Sequence, residues 1–180
     1  MKAARYRLTV PTRPARDALL AFLTGVESSY GGPSAEALSE LKDSSKSSVA
    51  IAFEDGGLLQ SLDAWRNTLL PVAYHAAEET QTAERRARGI LAALGRKPED
   101  FIGRPGSALS LYERRVAGFI RAMLVEPELL VLDRLFEEIG RDERQGIAAC
   151  IDLFGTRYPL RRMLYVGFAD VNLPEFEVMQ

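Results

Sequence analysis

Thiols, imidazoles and long apolar runs are nearly missing from this chain of 180 residues. A lone cysteine, Cys150, excludes a disulfide framework and any multi-thiolate metal site, and it points to a reducing compartment. With a lone histidine as well, His75, a zinc centre has too few ligands. No uninterrupted apolar stretch approaches the roughly 20 residues that span a bilayer. The opening MKAARYRLTV lacks the apolar core and small-residue cleavage site of a secretory leader. A cytoplasmic, soluble protein is the expectation. An excess of one charge is missing too: 23 Lys+Arg against 25 Asp+Glu leave a formal charge of −2, without the positive field on which nucleic-acid binders rely. Ordinary Gly (14) and Pro (9) usage and a 47% hydrophobic fraction exclude disordered, collagen-like and mucin-like chains and predict one globular domain.

Short runs rich in β-branched or aromatic residues predict strands at Arg5 to Val10, Ser48 to Phe53, Glu128 to Leu132 and Met163 to Val166. Helical stripes lie between them. Leu19, Leu20 and Leu23 end at Gly25; Ala83, Ala87, Ile90, Leu91 and Leu94 end at Gly95. Val116, Phe119, Ile120, Met123 and Leu124 follow a capping box, with Ser110 as N-cap and Glu113 three residues on. Ile147, Cys150, Ile151 and Phe154 are expected to stop at Gly155, and residues 27–47 read as an exposed loop, helical in part through Ala35 to Leu41. This order predicts an α/β fold, a parallel sheet interrupted by a helical insertion over 58–116, with 1–57 and 117–180 forming the core.

The stretch SALSLYERRVAGFIRAMLVEPELLVLD, Ser107 to Asp133, resembles the signature helix and Walker B strand of ABC-transporter ATPases. Residues Val10 to Ser28 resemble a Walker A loop and its helix, SVAIAFEDGGLLQSLDAWRNTLLP the Q-loop strand and the segment after it, and LYVGFAD the switch strand. The Q-loop region is most similar to ATPase subunits of Mla-type lipid-transport systems. The resemblance implies a P-loop NTPase, RecA-like sheet with an ABC-type helical insertion. It also implies a trimmed one, without the N-terminal antiparallel β subdomain that carries the adenine platform.

The residues at the matched sites depart from the family's chemistry. A P-loop wraps phosphates with glycine-permitted N–H groups, a Lys on the β/γ charge and a Ser/Thr on Mg²⁺. Here Val10, Arg13, Ala15, Arg16 and Asp17 stand in place of Gly, Gly, Gly, Lys and Ser, and Pro14 has no N–H. Asp17 beside a phosphate, at about 4 Å and an effective dielectric near 20, costs roughly 4 kcal/mol per charge pair. The Walker B carboxylate survives as Asp133, but the catalytic Glu position is Arg134, which cannot accept a proton. The Q-loop Gln position is Glu54, the switch His position is Phe168 or Ala169, and the signature glycines are Leu111 and Tyr112, bulky enough to obstruct a phosphate.

Plainer roles compete for each residue. Asp133 serves equally as a strand-end carboxylate holding a loop, Ser110 with Glu113 as a simple cap, and Arg13 and Arg16 as solvated arginines, an anion site at the helix start being the sharper option. The clusters Arg85, Arg86, Arg88 and Arg161, Arg162 read as solvated faces, and Cys150 as core. Trp65 and Leu69 read as core or as lining of the groove that takes a permease helix in family members. With five functions lost together, the expectation is a pseudo-ATPase without cofactor or metal, partnered by an ABC ATPase subunit or a membrane permease, as homo- or heterodimer. An atypical subunit that still binds ATP and Mg²⁺, and a free-standing scaffold, are the alternatives.

Overall fold

The computed structural model describes residues 4–45, 48–75 and 80–179, without the side chains of Tyr74 and His75. His75 has helical backbone, and its side chain lies outside what is described. Five parallel strands, β1 (Arg5–Thr9), β2 (Val49–Ala52), β3 (Leu129–Asp133), β4 (Arg162–Gly167) and β5 (Glu177–Val178), form one sheet in the order β2-β3-β4-β1-β5. β3 is buried throughout, as its unbroken apolar run requires. Its side chains alternate between two cores. Leu129 and Val131 meet α1 (Arg13–Leu23) and α2 (Ala35–Ser44) on one face. Leu130 and Leu132 meet α3 (Ala64–His75), α4 (Thr80–Ala93), α5 (Leu111–Leu124) and α6 (Arg141–Arg157) on the other.

Two boundaries differ from expectation. Residues 35–44 form a full helix, because Leu38 and Leu41, three apart, are buried against the sheet despite the polar sequence around them. Gly155 does not end α6, which runs on to Arg157; a Cβ there would lie 2.9 Å from the Arg5 guanidinium, so the glycine makes room for a neighbouring side chain within the helix. The arginine clusters are also less free than expected. Arg86 donates to the Leu124 carbonyl at 3.0 Å and to Glu126 at 2.6 Å, Arg88 lies over the Trp65 ring at 5.3 Å, Arg161 pairs with Glu128, and Arg162 with the Ser44 hydroxyl. Trp65 and Leu69 are 7% and 8% exposed and belong to the core.

The turn out of β2 is set against α5 by two glycines. Gly56 has φ +84°, and a Cβ on it would stand 2.3 Å from the Arg114 carbonyl oxygen. A Cβ on Gly118, across the contact, would stand 2.5 Å from the Gly56 carbonyl oxygen. Arg121 then fastens the turn by donating to the Gly57 carbonyl at 2.7 Å and the Gly56 carbonyl at 3.2 Å. Beyond it, buried Asn67 organises the next loop: its amide donates to the carbonyls of Leu59, Leu62 and Asp63 at 3.0–3.1 Å, and its oxygen accepts the Leu59 N–H at 2.7 Å. Because backbone stands on both sides of the glycine contact, Gly118→Ala is expected to lower stability by about 1–3 kcal/mol, read as a reduced urea midpoint at unchanged m-value.

Candidate nucleotide-binding site and its ion-pair network

In an open parallel sheet, ligands sit at the carboxyl ends of the strands. Register brings the predicted site residues to that edge: Thr9 of β1 is level with Gly167 of β4, and Val166 is level with Asp133 of β3. The Val10 N–H donates to the Gly167 carbonyl and the Arg134 N–H to the Val166 carbonyl, both at 2.9 Å.

After β1, a phosphate-wrapping loop is replaced by an early helix. Thr12 is the N-cap, its hydroxyl accepting the Ala15 N–H at 3.3 Å, and Pro14 takes a first-turn position where no N–H is missed. Arg13, Ala15, Arg16 and Asp17 therefore lie on α1, and none of the residues from Val10 to Asp17 has the positive φ of a glycine loop.

Arg16 is not a solvated arginine. It is 9% exposed and grips Asp133, which is 0% exposed, with both arms of its fork: Nε donates to Oδ1 at 2.9 Å, and an η nitrogen donates to Oδ2. A second η nitrogen holds Asp17 at 2.7 Å. The Asp133 hydrogen bond outweighs burial and raises the Arg16 guanidinium above its ordinary pKa, so the charge is permanent. Asp133, expected to find little to coordinate, is thus saturated by Arg16 and by the Glu54 N–H at 3.2 Å.

Glu54 is the second hub. One carboxylate oxygen receives Arg13 at 3.2 Å and Arg16 at 3.5 Å; the other receives Arg134. Arg134, in left-handed conformation at φ +53°, also donates to Glu137 at 2.7 Å and Glu138 at 3.3 Å, with its guanidinium 4.2 Å from the centre of the Phe168 ring. Burial works against its charge, but Glu137, Glu54 and Glu138 together raise its pKa. Glu137 returns to the switch strand by accepting the Phe168 N–H at 3.1 Å. Of the two residues matched to the switch His, Phe168 is the one that faces the network.

Sequence reasoning missed Glu137 and Arg115. Arg115, 2% exposed, donates to the carbonyls of Glu54 at 2.6 Å, Leu135 at 3.1 Å and Glu137 at 2.5 Å. Burial depresses its pKa. Its place on the same face of α5 as Phe119 was the available signal.

The signature helix begins as expected. Ser110 Oγ accepts the Glu113 N–H at 3.2 Å, and the Glu113 carboxylate accepts the Ser110 N–H at 2.8 Å while Arg104 holds it at 2.8 Å. Tyr112 packs within the chain. Its ring lies against α6, with the hydroxyl 2.0 Å from where a Gly146 Cβ would be and Arg96 over its face at 4.9 Å. Leu111, the first residue of α5, is half-buried.

These residues do not fit Mg²⁺ with a nucleoside triphosphate. The carboxylate that would hold the ion already holds a guanidinium, the loop that would wrap phosphates is helix, and a cation stands at the general-base position. Among the described residues no cluster of His, Cys, Asp and Glu is arranged to hold a metal ion.

The network makes two expectations testable. Arg16→Ala and Asp133→Ala each strand a buried charge and are expected to cost about 3–5 kcal/mol, whereas Arg16→Met with Asp133→Leu is expected to unfold closer to the unmodified protein than either single variant; chemical denaturation checks this. Arg104 holds the Glu113 carboxyl below its ordinary value of 4.5. A depressed folded pKa gives stability that is present above 4.5 and lost as pH falls through the folded value. Glu113→Gln is therefore expected to flatten the acid limb of thermal stability measured below that pH.

No protein-family model and no curated protein matches this sequence. Solved structures do match. The ATP-binding cassette MJ0796 in a dimeric, post-hydrolysis state bound to ADP and Pi superposes with a TM-score of 0.67 at 15% identity, over 93% of this chain and 76% of that one. The same bacterial ABC transporter cassette in another dimeric structure gives 0.68 at 12% identity, over 94% and 77%. CbiO1 from Clostridium perfringens, part of the ABC transporter complex cbiONQ, gives 0.64 at 14% identity, over 92% and 67%. At such identities the likeness concerns architecture, and with the parallel sheet and strand-end site described above it establishes that this chain has the fold of ABC-transporter ATPase nucleotide-binding domains.

Proposed function

We propose that the protein is a pseudo-ATPase: a non-hydrolysing, ABC ATPase-like partner or regulatory subunit of a transport system. The observation that carries this reading is the Arg16–Asp133 pair. A side chain at the position of the phosphate-binding Lys is bonded instead to the carboxylate at the end of β3. Before Mg²⁺ and phosphate could enter, that buried pair would have to open at about 3–5 kcal/mol, which weakens any binding by about two to four orders of magnitude. Arg134 adds a second obstacle, since a guanidinium fixed by three carboxylates accepts no proton from an attacking water.

What remains is shape and surface. The partner is an intact ABC ATPase subunit or a membrane permease, and the protein works at the inner face of the membrane through it. No helix among the described residues is long and apolar enough to cross a membrane itself. The solved relatives in fold include dimeric cassettes and a component of a transporter complex, which supports an assembling role.

Calorimetric titration with ATP and Mg²⁺ is expected to give no heat of binding, and a hundredfold molar excess no upward shift in melting temperature. Tight binding stabilises by RT ln(1 + [L]/Kd), about 2.7 kcal/mol at a ligand concentration 100 times Kd. Micromolar binding, or turnover abolished by Asp133→Asn, overturns the proposal.

A further inference from the structure

Along the outer side of α6 a groove separates the helix from residues 171–176, in two adjoining stretches of about 710 and 180 Å³ that share Phe136, Ala148, Leu173 and Pro174 as walls. Its apolar floor is Phe136 and Leu173, and Ala148 is the small residue midway along the helical wall. Besides Arg141 at one end and the Arg5–Glu175 pair at the other, two opposite charges of α6 flank that alanine. Arg144 stands four residues before it and Asp152 four residues after it, and both line the groove. At about 100° per residue the two lie within about 40° of the Ala148 direction, on opposite sides.

Arg144 has no ion-pair partner among the described residues, and Asp152 is only half satisfied. Arg144 makes one weak bond, from Nε to the Ile139 carbonyl at 3.4 Å, and meets no carboxylate among the described residues. Asp152 is held by Arg5 through Oδ1 alone, at 3.2 Å; Oδ2 has no partner among the described residues, and the side chain is 65% exposed.

The geometry points to a second copy of this chain as the occupant. When two α6 helices cross antiparallel on a two-fold axis at Ala148, Arg144 of each protomer stands level with Asp152 of the other, so the ion pair forms twice. The alanine lets the helix axes approach to about 8 Å, the near limit for packed helices. The flank of each helix then covers the Phe136 and Leu173 floor of the other. A wholly acidic partner would satisfy Arg144 and oppose Asp152, and a basic one the reverse; a self-complementary patch is what a two-fold homodimer requires. The surface is distinct from the Arg16–Asp133 network, so this dimer forms without nucleotide and is independent of the pseudo-ATPase reading. A helix pair with one flanking ridge is smaller than a standard interface of about 1,600 Å², and the dimer is correspondingly weak.

The test is sedimentation equilibrium of the whole chain, without nucleotide, across a concentration series. A reversible monomer–dimer equilibrium is expected. Arg144→Asp sets two carboxylates opposite each other and Asp152→Arg two guanidinium groups, and each is expected to weaken association at least tenfold with an unchanged circular dichroism spectrum. Mixed one to one, the two variants are expected to pair with each other at the strength of the unmodified chain, because both cross-contacts are again opposite in sign. Asp152→Asn, which adds no charge beside Arg5, covers the case in which Asp152→Arg fails to fold; it is expected to weaken association several-fold. A strictly monomeric protein, a dimer indifferent to Arg144→Asp, or a folded mixture that does not pair overturns the inference.

Discussion

A carboxylate with no exposure to water, at the end of the central strand, has to be matched by positive charge, and the arrangement of this molecule's upper edge depends on how Asp133 is matched. Arg16 supplies the charge from α1, so the pair ties the β1–α1 unit to β3. Because Arg16 also reaches Glu54, the exit from β2 is drawn into the same contact, and Arg134 closes the circuit from Glu54 to Glu137 and the switch strand. Four strand ends are thereby joined through guanidinium groups. In a fold built to bind nucleotide at this edge, the protein's own side chains fill the role of counter-charge.

Much of the fold was legible because burial imposes period and composition. The runs LLVLD and MLYV could only be strands buried on both faces, and the capping box at Ser110 and Glu113 placed the start of α5. Helix α2 was less legible because only Leu38 and Leu41 mark its buried face, among Ser, Glu, Lys and Asp. Gly155 misled because glycine ends a helix in isolation, whereas here it admits the Arg5 side chain.

The site was legible in its positions and not in its contacts. Motif order placed Val10 to Asp17, Glu54, Asp133, Arg134 and Phe168 at one edge, and register confirms that neighbourhood. That Arg16 and Asp133, 117 residues apart, bond to one another depends on α1 starting at Arg13 and not after a loop, which Pro14 and the N-cap Thr12 decide jointly. The packing of Tyr112 on Gly146 was not legible either, because size is visible in sequence and direction is not.

The sharing of Glu54 by three arginines makes substitutions at this edge interdependent. Lys at position 16 would leave Asp133 without its bidentate partner while Arg134 stayed in place; a carboxylate at 134 would face Glu54 with like charge. Each change weakens or removes an ion pair of the network, so single substitutions at either position are felt as lost stability. The network works as a lock: folding stability, and not any one residue, holds positions 16, 54, 133 and 134 in their present combination.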